Sequence, residues 1–180
     1  SYRLDKCLYE PLTVSIASSF TLISTYETEI KAVNKAIEKT LKGIDPNAYQ
    51  SLLSIPGIGP VMAAGILSEI GYIDAFKNQE ALAKYAGLVW RENQSGNFQA
   101  DDTPLSKAGN AYLRYYLIEA TSHVKNHCGE FAAFYQKKYD EVKIHQHKRA
   151  LALTARKFVR LIFGLLANHQ LYSSDRVVQA

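Results

Sequence analysis

The stretch that most constrains the fold of this chain is Ile55–Pro60, which reads Ile-Pro-Gly-Ile-Gly-Pro and precedes a run of small and apolar residues. Gly57 and Gly59 can take backbone angles that are closed to other residues. The first proline stops a preceding helix, and the second suits the first turn of a following helix. The hexapeptide therefore predicts a tight turn between two helices, a helix-hairpin-helix over 48–71.

Such a turn presents backbone amides at the N-terminus of its second helix. Amides grouped there attract anions, and glycines have no side chain to keep a phosphate away. We therefore predict that Gly57 and Gly59 contact the phosphate backbone of DNA. The alternative is a helix-to-helix turn that binds no ligand.

A heptad pattern comes before this turn. Apolar and polar residues form a seam with the 3.5-residue repeat of a coiled coil: Ile16, Ile23, Ile30 and Ile37, with Phe20, Glu27, Asn34 and Leu41 four residues after each. The pattern predicts one long helix, and we interpret residues 1–44 as a coiled-coil arm that forms a homo-oligomer. The alternative is an amphipathic helix folded back on its own domain.

The sequence Gly-Ile-Asp-Pro at 43–46 ends the arm, and a compact helical domain is predicted over 45–180. Helical patterns occur in six segments of this domain: 48–54, 60–70, 79–86 with Asn78 as N-cap, 109–126, 129–141 and 147–168. Residues 89–104 keep no sustained period, which predicts a loop or a short hairpin. The predicted fold class is all-α, with a long N-terminal arm, a compact helical domain and one long irregular loop.

Composition excludes several classes of protein. A chain of 180 residues with 47% hydrophobic content can bury one ordinary core. It has no apolar run long enough to span a membrane and no secretory signal. Cys7 and Cys128 fit neither a disulfide framework nor a ligand spacing, which favours the cytoplasm. The chain begins with Ser1 and has Met62 as its single methionine, so we expect a fragment of a longer protein.

Two clusters of polar and basic residues are candidate DNA contacts. One lies along a side of the last predicted helix: Lys148, Arg149, Arg156, Lys157 and Arg160. The other opens the helix after the irregular loop, where Ser106 or Thr103 is a candidate cap: Lys107, Asn110 and Arg114. Both clusters can lie along phosphates, although the first is equally well explained as the solvated side of an amphipathic helix.

No metal site is predicted. His123 and His127 stand four apart on a predicted helix, but Cys128, His145 and His147 do not continue a zinc spacing. Two-metal phosphoryl transfer needs several converging carboxylates. The candidates show no spacing that guarantees convergence: Glu69, Asp101, Asp102 and Glu119.

Ser95 is the candidate nucleophile. It lies between Gln94 and Gly96 in the irregular loop, four residues after Arg91, whose guanidinium could neutralise a phosphate. A serine in a loop is more often a turn former, so the residues by themselves leave both interpretations open.

Five motifs occur in an order that resembles the C-terminal half of insertion-sequence transposases that move DNA without the usual DDE chemistry, the DEDD-type family associated with bridge-RNA-guided recombination. They are Ile55–Pro60, Ala83–Leu88, Arg91–Gly96, Ser106–Arg114 and His147–Lys157. The resemblance implies an enzyme of the bacterial cytoplasm, associated with the nucleoid, whose partners are DNA and a guide RNA. Residues 97–102 depart from a more basic stretch in many relatives.

The resemblance also implies that an RNase-H-like domain with four carboxylates, which would hold Mg²⁺, precedes this chain in the complete protein. The chain would then hold no cofactor itself and would be inactive alone. In the family, this half supplies a serine that attacks the DNA phosphate, a role that we carry over to Ser95 with Ser106 as its rival. The alternative function is a non-catalytic helix-hairpin-helix module of a repair or junction-processing protein.

Overall fold

The computed structural model describes residues 4–90, 94–95, 98–99 and 104–174, with side chains for 9–90 and 104–174. Within these ranges the helices are α1 (Leu4–Ile44), α2 (Pro46–Leu53), α3 (Pro60–Ile70), α4 (Gln79–Tyr85), α5 (Ala111–His127), α6 (Gly129–Asp140) and α7 (Gln146–Ala167). A 3₁₀ turn covers Ile73–Ala75, and β1 (Gln94–Ser95) pairs antiparallel with β2 (Phe98–Gln99). The predicted all-α class is confirmed.

The helix ends follow the local signals in the sequence. Helix α3 has the predicted bounds, and the other predicted helices of 45–180 begin and end within two residues of them. Asp45 caps α2 by accepting from the Ala48 amide at 2.9 Å, and Asn78 caps α4 by accepting from the Ala81 amide at 2.9 Å. These short polar side chains satisfy amides that have no acceptor within their own helix.

The chain divides into two compact units, residues 1–40 and 41–180. The first unit is most of α1, which is a single helix as the heptads predicted. Its apolar seam is open, since Ile16, Ile23, Ile30 and Ile37 are between 38% and 58% exposed. Leu41 differs from the expectation, because it packs against the core of the second unit and does not belong to the exposed seam.

The second unit is built around α7, which contacts α2, α4, α5 and α6. Its buried side recurs at helical spacing: Ala150, Thr154, Ala155, Phe158, Val159, Ile162, Leu165 and Leu166. The ring of Phe158 meets that of Phe131 of α6 edge to face, with centroids 5.8 Å apart. Helix α7 therefore organises the domain, although it is the last helix of the part of the chain that the structure describes.

Helices α3 and α5 lie side by side and antiparallel. Glu69 at the end of α3 meets Asn110 at the start of α5, whereas Gly57 before α3 meets His123 near the end of α5. Between these points, a Cβ at Gly65 would overlap the ring of Tyr116. The glycine allows the two helices to approach closely, which places the α2–α3 turn at one end of α5 and residues 107–110 at the other.

No helix in the described ranges combines the length and the apolar character that crossing a bilayer requires.

Candidate nucleic-acid interface

In the α2–α3 turn, Gly57 takes a backbone angle that is closed to most residues, as its sequence predicted, whereas Gly59 does not. Gly57 has φ +94°, and Gly59 is the N-cap of α3, with extended backbone and no side chain capping it. The first hydrogen bond of α3 runs from the Ala63 amide to the Gly59 carbonyl, 3.0 Å. The amides of Val61 and Met62 precede that bond, so they are the donors that a helix leaves for an external acceptor.

The two glycines of the turn differ in what requires them. A Cβ at Gly57 would lie 3.0 Å from the His123 carbonyl carbon and 3.1 Å from Nδ1 of His127. Packing against α5 therefore explains Gly57 without a ligand. Gly59 has an ordinary φ of −95°, and a Cβ there would have no atom within 4 Å. Neither backbone strain nor packing requires a glycine at position 59. The open space beside it leaves room for an approaching group.

Asn110 caps α5, which corrects the expectation of a cap at Ser106 or Thr103. Its side-chain oxygen accepts from the amides of Tyr112 at 2.9 Å and Leu113 at 3.0 Å. The side-chain nitrogen Nδ2 of Asn110 donates to Glu69 Oε2 at 2.7 Å. The Ser106 amide instead donates to the Val89 carbonyl at 2.7 Å, in an extended segment before the helix, and Thr103 lies outside the described residues.

Arg114 holds two neighbouring chain segments together. Its Nη1 donates to the carbonyls of Ala86 at 3.1 Å and Lys107 at 3.0 Å. The predicted cluster of Lys107, Asn110 and Arg114 is therefore assembled, but Asn110 and Arg114 form internal hydrogen bonds. Lys107 is exposed and has φ +53°, in the left-handed region.

Replacing Asn110 by alanine is expected to lower the free energy of unfolding by about 2 kcal/mol, because α5 loses its cap and Glu69 loses a donor. Urea denaturation measures the change. Ser106→Ala is the control and should cost less than about 0.5 kcal/mol. A larger cost at Ser106 than at Asn110 would contradict the observed cap.

Most of the basic residues along α7 have a carboxylate partner. Arg149 meets Glu141 at 3.1 Å, Arg156 meets Glu80 at 3.9 Å, and Lys157 pairs with Glu130. Hydrogen bonds from Lys138 and then Arg149 hold the pKa of Glu141 below its usual value. Lys148 and Arg160 are exposed and take part in no ion pair with another described residue. The predicted stripe is thus a set of mostly paired cations with exposed members at positions 148 and 160.

A groove of about 1380 Å³ lies between the base of the irregular segment and the start of α7. Trp90 and Leu105 form its wall on one side, where they join in an isolated antiparallel bridge. Its basic or potentially basic lining residues are Lys107, Lys143, His145, His147, Lys148 and Arg149. Sequence analysis did not identify Trp90 or Lys143, because the lining comes from positions far apart in the chain. We call this cavity the basic groove.

Ser95 lies on β1, where it pairs with Phe98 of β2. The irregular segment therefore contains a short hairpin, one of the two structures predicted for it. Neither the side chain of Ser95 nor any part of Arg91 belongs to the described structure. The hairpin follows Trp90 by four residues, so the chain that carries Ser95 starts at the wall of the basic groove.

His127, His147 and Cys128 have partners other than a metal. His127 Nδ1 lies 2.9 Å from the His123 carbonyl, and His147 Nδ1 lies 2.7 Å from the Tyr135 hydroxyl. Cys128 Sγ lies 2.7 Å from the Tyr172 hydroxyl; burial, and then this hydrogen bond, raises the pKa of Tyr172. Across the described ranges, no three His, Cys, Asp or Glu side chains come together as a metal site. The described His, Cys, Asp and Glu side chains are therefore not arranged to hold a Mg²⁺ ion.

Comparison with known proteins agrees with this picture of the domain. Residues 49–136 match the family described as "Transposase IS116/IS110/IS902 family". The chain is 30% identical over 174 residues to the transposase for insertion sequence element IS1111A of Coxiella burnetii, covering 94% of this chain and 43% of that protein. It is 26% identical over 151 residues to a probable family 20 transposase of Pseudomonas aeruginosa, covering 83% and 44%.

A shorter similarity extends to a DNA ligase of Marinobacter nauticus, 34% identical over 90 residues, which are 45% of this chain and 12% of the ligase. The chain spans less than half the length of each of these relatives. Residues 49–136 are thus similar to the Transposase IS116/IS110/IS902 family, and the relatives of the chain include transposases of insertion sequences.

Proposed function

We propose that this chain is the DNA-binding and serine-bearing half of a transposase that moves an insertion sequence by cleaving and rejoining DNA strands. The observation that supports it most is the similarity to the IS1111A transposase, which extends over 94% of the chain. That relative is more than twice as long as the matched stretch, so strand transfer is proposed for the complete protein and not for this chain alone.

We propose Ser95 as the nucleophile. Its Oγ attacks the scissile phosphorus, so that an Oγ–phosphorus bond forms and the bond from phosphorus to a sugar oxygen breaks. That sugar oxygen takes up the proton that the serine loses. A serine hydroxyl is a weak nucleophile near neutral pH, so cations must stabilise the charge of the transition state. We assign this role to Arg91, together with Lys107, which precedes α5. A covalent protein–DNA adduct that is lost on Ser95→Ala tests the proposal.

The DNA backbone would contact the chain at several places. We propose direct phosphate contacts from the amides near Gly57 and Gly59 and from the exposed side chains of Lys107, Lys148 and Arg160. Four other predicted DNA contacts would lie close to the same DNA backbone, although each also has a partner within the chain: Asn110, Arg114, Arg149 and Arg156. Contacts of this kind position DNA without reading its bases.

Sequence selection and metal chemistry would come from outside this chain. We propose that a guide RNA selects the DNA site and that carboxylates of another domain hold Mg²⁺, which would polarise the phosphoryl oxygens. The setting would be the bacterial cytoplasm, in association with the nucleoid. In this arrangement the described residues bind and orient the DNA strand, and Ser95 reacts with it.

The exposed seam of α1 would pair with the same seam of a second copy. Replacing Ile23 and Ile30 together by lysine is expected to abolish self-association, because each substitution puts a charge in a buried seam. Sedimentation of the 180-residue chain at micromolar concentration measures the assembly. Val14→Lys with Thr25→Lys adds the same charge on the other side of α1 and should leave the assembly intact. A monomeric unmodified chain would contradict homotypic pairing through the arm.

The second candidate function is a non-catalytic DNA-binding module. The similarity to a DNA ligase favours it, because that match extends over 90 residues and belongs to a protein with a different reaction. In this case, α2, the turn and α3 would bind DNA and Ser95 would be structural. The two functions differ in whether a covalent bond to DNA forms.

A further inference from the structure

The basic groove carries a strongly one-sided charge. Its lining includes the exposed side chains of Lys107, Lys143 and Lys148, none of which forms an ion pair with another described residue. Arg149 also lines it, but is paired with Glu141. No Asp or Glu belongs to the part of the lining that the structure describes. A cavity lined in this way favours a polyanion over a neutral or cationic ligand.

The three lysines come from different parts of the fold. Lys107 precedes α5, Lys143 lies in the turn between α6 and α7, and Lys148 is in the first turn of α7. Solvated lysines on one helix are common, but three from separate segments around one cavity form a surface that an extended chain of phosphates can follow. The occupant that three such separated cations suit is a segment of a polyanionic polymer.

Trp90 adds a second recognition element to the same cavity. It is partly buried, and its bridge to Leu105 holds it at the wall beside the lysines. Grooves that bind single strands combine a cationic track with aromatic rings on which bases stack. In a duplex, each base is already stacked between its neighbours, so only an unpaired base can reach an indole in a wall.

We propose that the basic groove binds an unpaired stretch of DNA, with phosphates along Lys107, Lys143 and Lys148 and a base stacked on Trp90. This inference rests on the proposed function, because Trp90 stands five residues before Ser95 in the sequence. The groove would hold a DNA strand open next to the proposed nucleophile. The substrate of this half of the transposase would then be locally melted DNA.

Trp90 is the single tryptophan of the chain, so its fluorescence reports on this groove without a label. Titration with an oligothymidylate of about 20 nucleotides, longer than the site of a typical single-strand groove, should quench the emission. Replacing Lys143 and Lys148 together by glutamine should weaken binding roughly tenfold near 0.15 M salt and reduce the log–log salt slope by about 1.4, because each single-strand phosphate contact contributes about 0.7.

The matched control is Lys84→Gln with Lys137→Gln, which removes two exposed lysines of α4 and α6 that do not line the groove. Its affinity and salt slope should equal those of the unmodified chain. Equal losses in both double variants, or DNA binding by anisotropy without quenching, would overturn the proposal. So would tighter binding of the oligouridylate of the same length, which would assign the groove to RNA.

The proposed catalytic role can fail separately. Ser95→Ala should leave the quenching of Trp90 unchanged, because Trp90 and the three lysines of the groove stay in place. If quenching depends on Lys143 and Lys148 but the complete protein forms no covalent adduct, then the groove binds single strands and Ser95 is not the nucleophile. If the adduct forms but single strands do not quench Trp90, then Ser95 can be the nucleophile and the groove does not bind single strands.

Discussion

Replacing Ser95 by alanine is expected to eliminate covalent protein–DNA adducts formed by the complete protein with its guide RNA and Mg²⁺. Without the hydroxyl, no phosphoserine can form, whatever cations surround the phosphate. DNA binding and thermal stability should stay almost unchanged, since removing such a hydroxyl usually changes stability by less than about 0.5 kcal/mol. Denaturing electrophoresis of protein trapped on a DNA substrate measures the adduct.

Ser106→Ala is the matched control for this experiment. Ser106 precedes α5 but does not cap it, because Asn110 does. The variant should therefore retain both the adduct and the stability of the protein. An adduct that survives Ser95→Ala and disappears with Ser106→Ala would move the nucleophile to position 106.

Replacing Gly109 by alanine is expected to lower the free energy of unfolding by about 3 kcal/mol, the largest stability effect that we predict. Gly109 has φ +129°, a backbone conformation that an L side chain rarely adopts. A Cβ there would also overlap the carbonyl oxygen of Tyr85 and lie 3.1 Å from the Gly87 amide nitrogen. The Tyr85 carbonyl accepts a hydrogen bond from the backbone amide of Asn110 at 2.7 Å, so the substitution would disrupt the start of α5. Calorimetry should show a midpoint lower by about 6–12 °C.

Substitutions at two other glycines distinguish the cost of backbone strain from the cost of a steric clash between the new Cβ and Tyr85. Gly71 also has a positive φ, +67°, but open space at its Cβ position, so Gly71→Ala should cost only about 1 kcal/mol. Gly129 begins α6 in open space, and Gly129→Ala should be neutral or slightly stabilising. Similar losses at positions 109 and 71 would show that contact with Tyr85 does not determine the effect.

Helical periodicity and caps predicted most of the secondary structure. The α3 bounds followed from Pro60 at its start and the apolar run after it, and the α4 cap followed from Asn78. The cap of α5 did not, because Ser106, Thr103 and Asn110 are all acceptable cap residues. What selects Asn110 is its second contact, with Glu69 on α3, which becomes close only when the helices pack.

The partners of the basic residues were harder to predict than the helices. Arg156 and Arg149 lie on one side of α7 as their spacing indicated, but Glu80 and Glu141 reach them from other parts of the chain. Periodicity determines which side of a helix a residue occupies. It contains no information about which carboxylate will lie opposite.

The sequence by itself determined the features that depend on neighbours along the chain: the long α1 with its seam, the tight turn at Gly57 and Gly59, and the similarity of residues 49–136 to a transposase family. These depend on backbone angles, side-chain spacing and residue order, all of which are local. Only the tertiary structure decided which cations are paired, why Gly57 must lack a side chain, and that Trp90 shares a cavity with Lys143 and Lys148. Those contacts join residues far apart in sequence, and they form only when the helices of the second unit pack around α7.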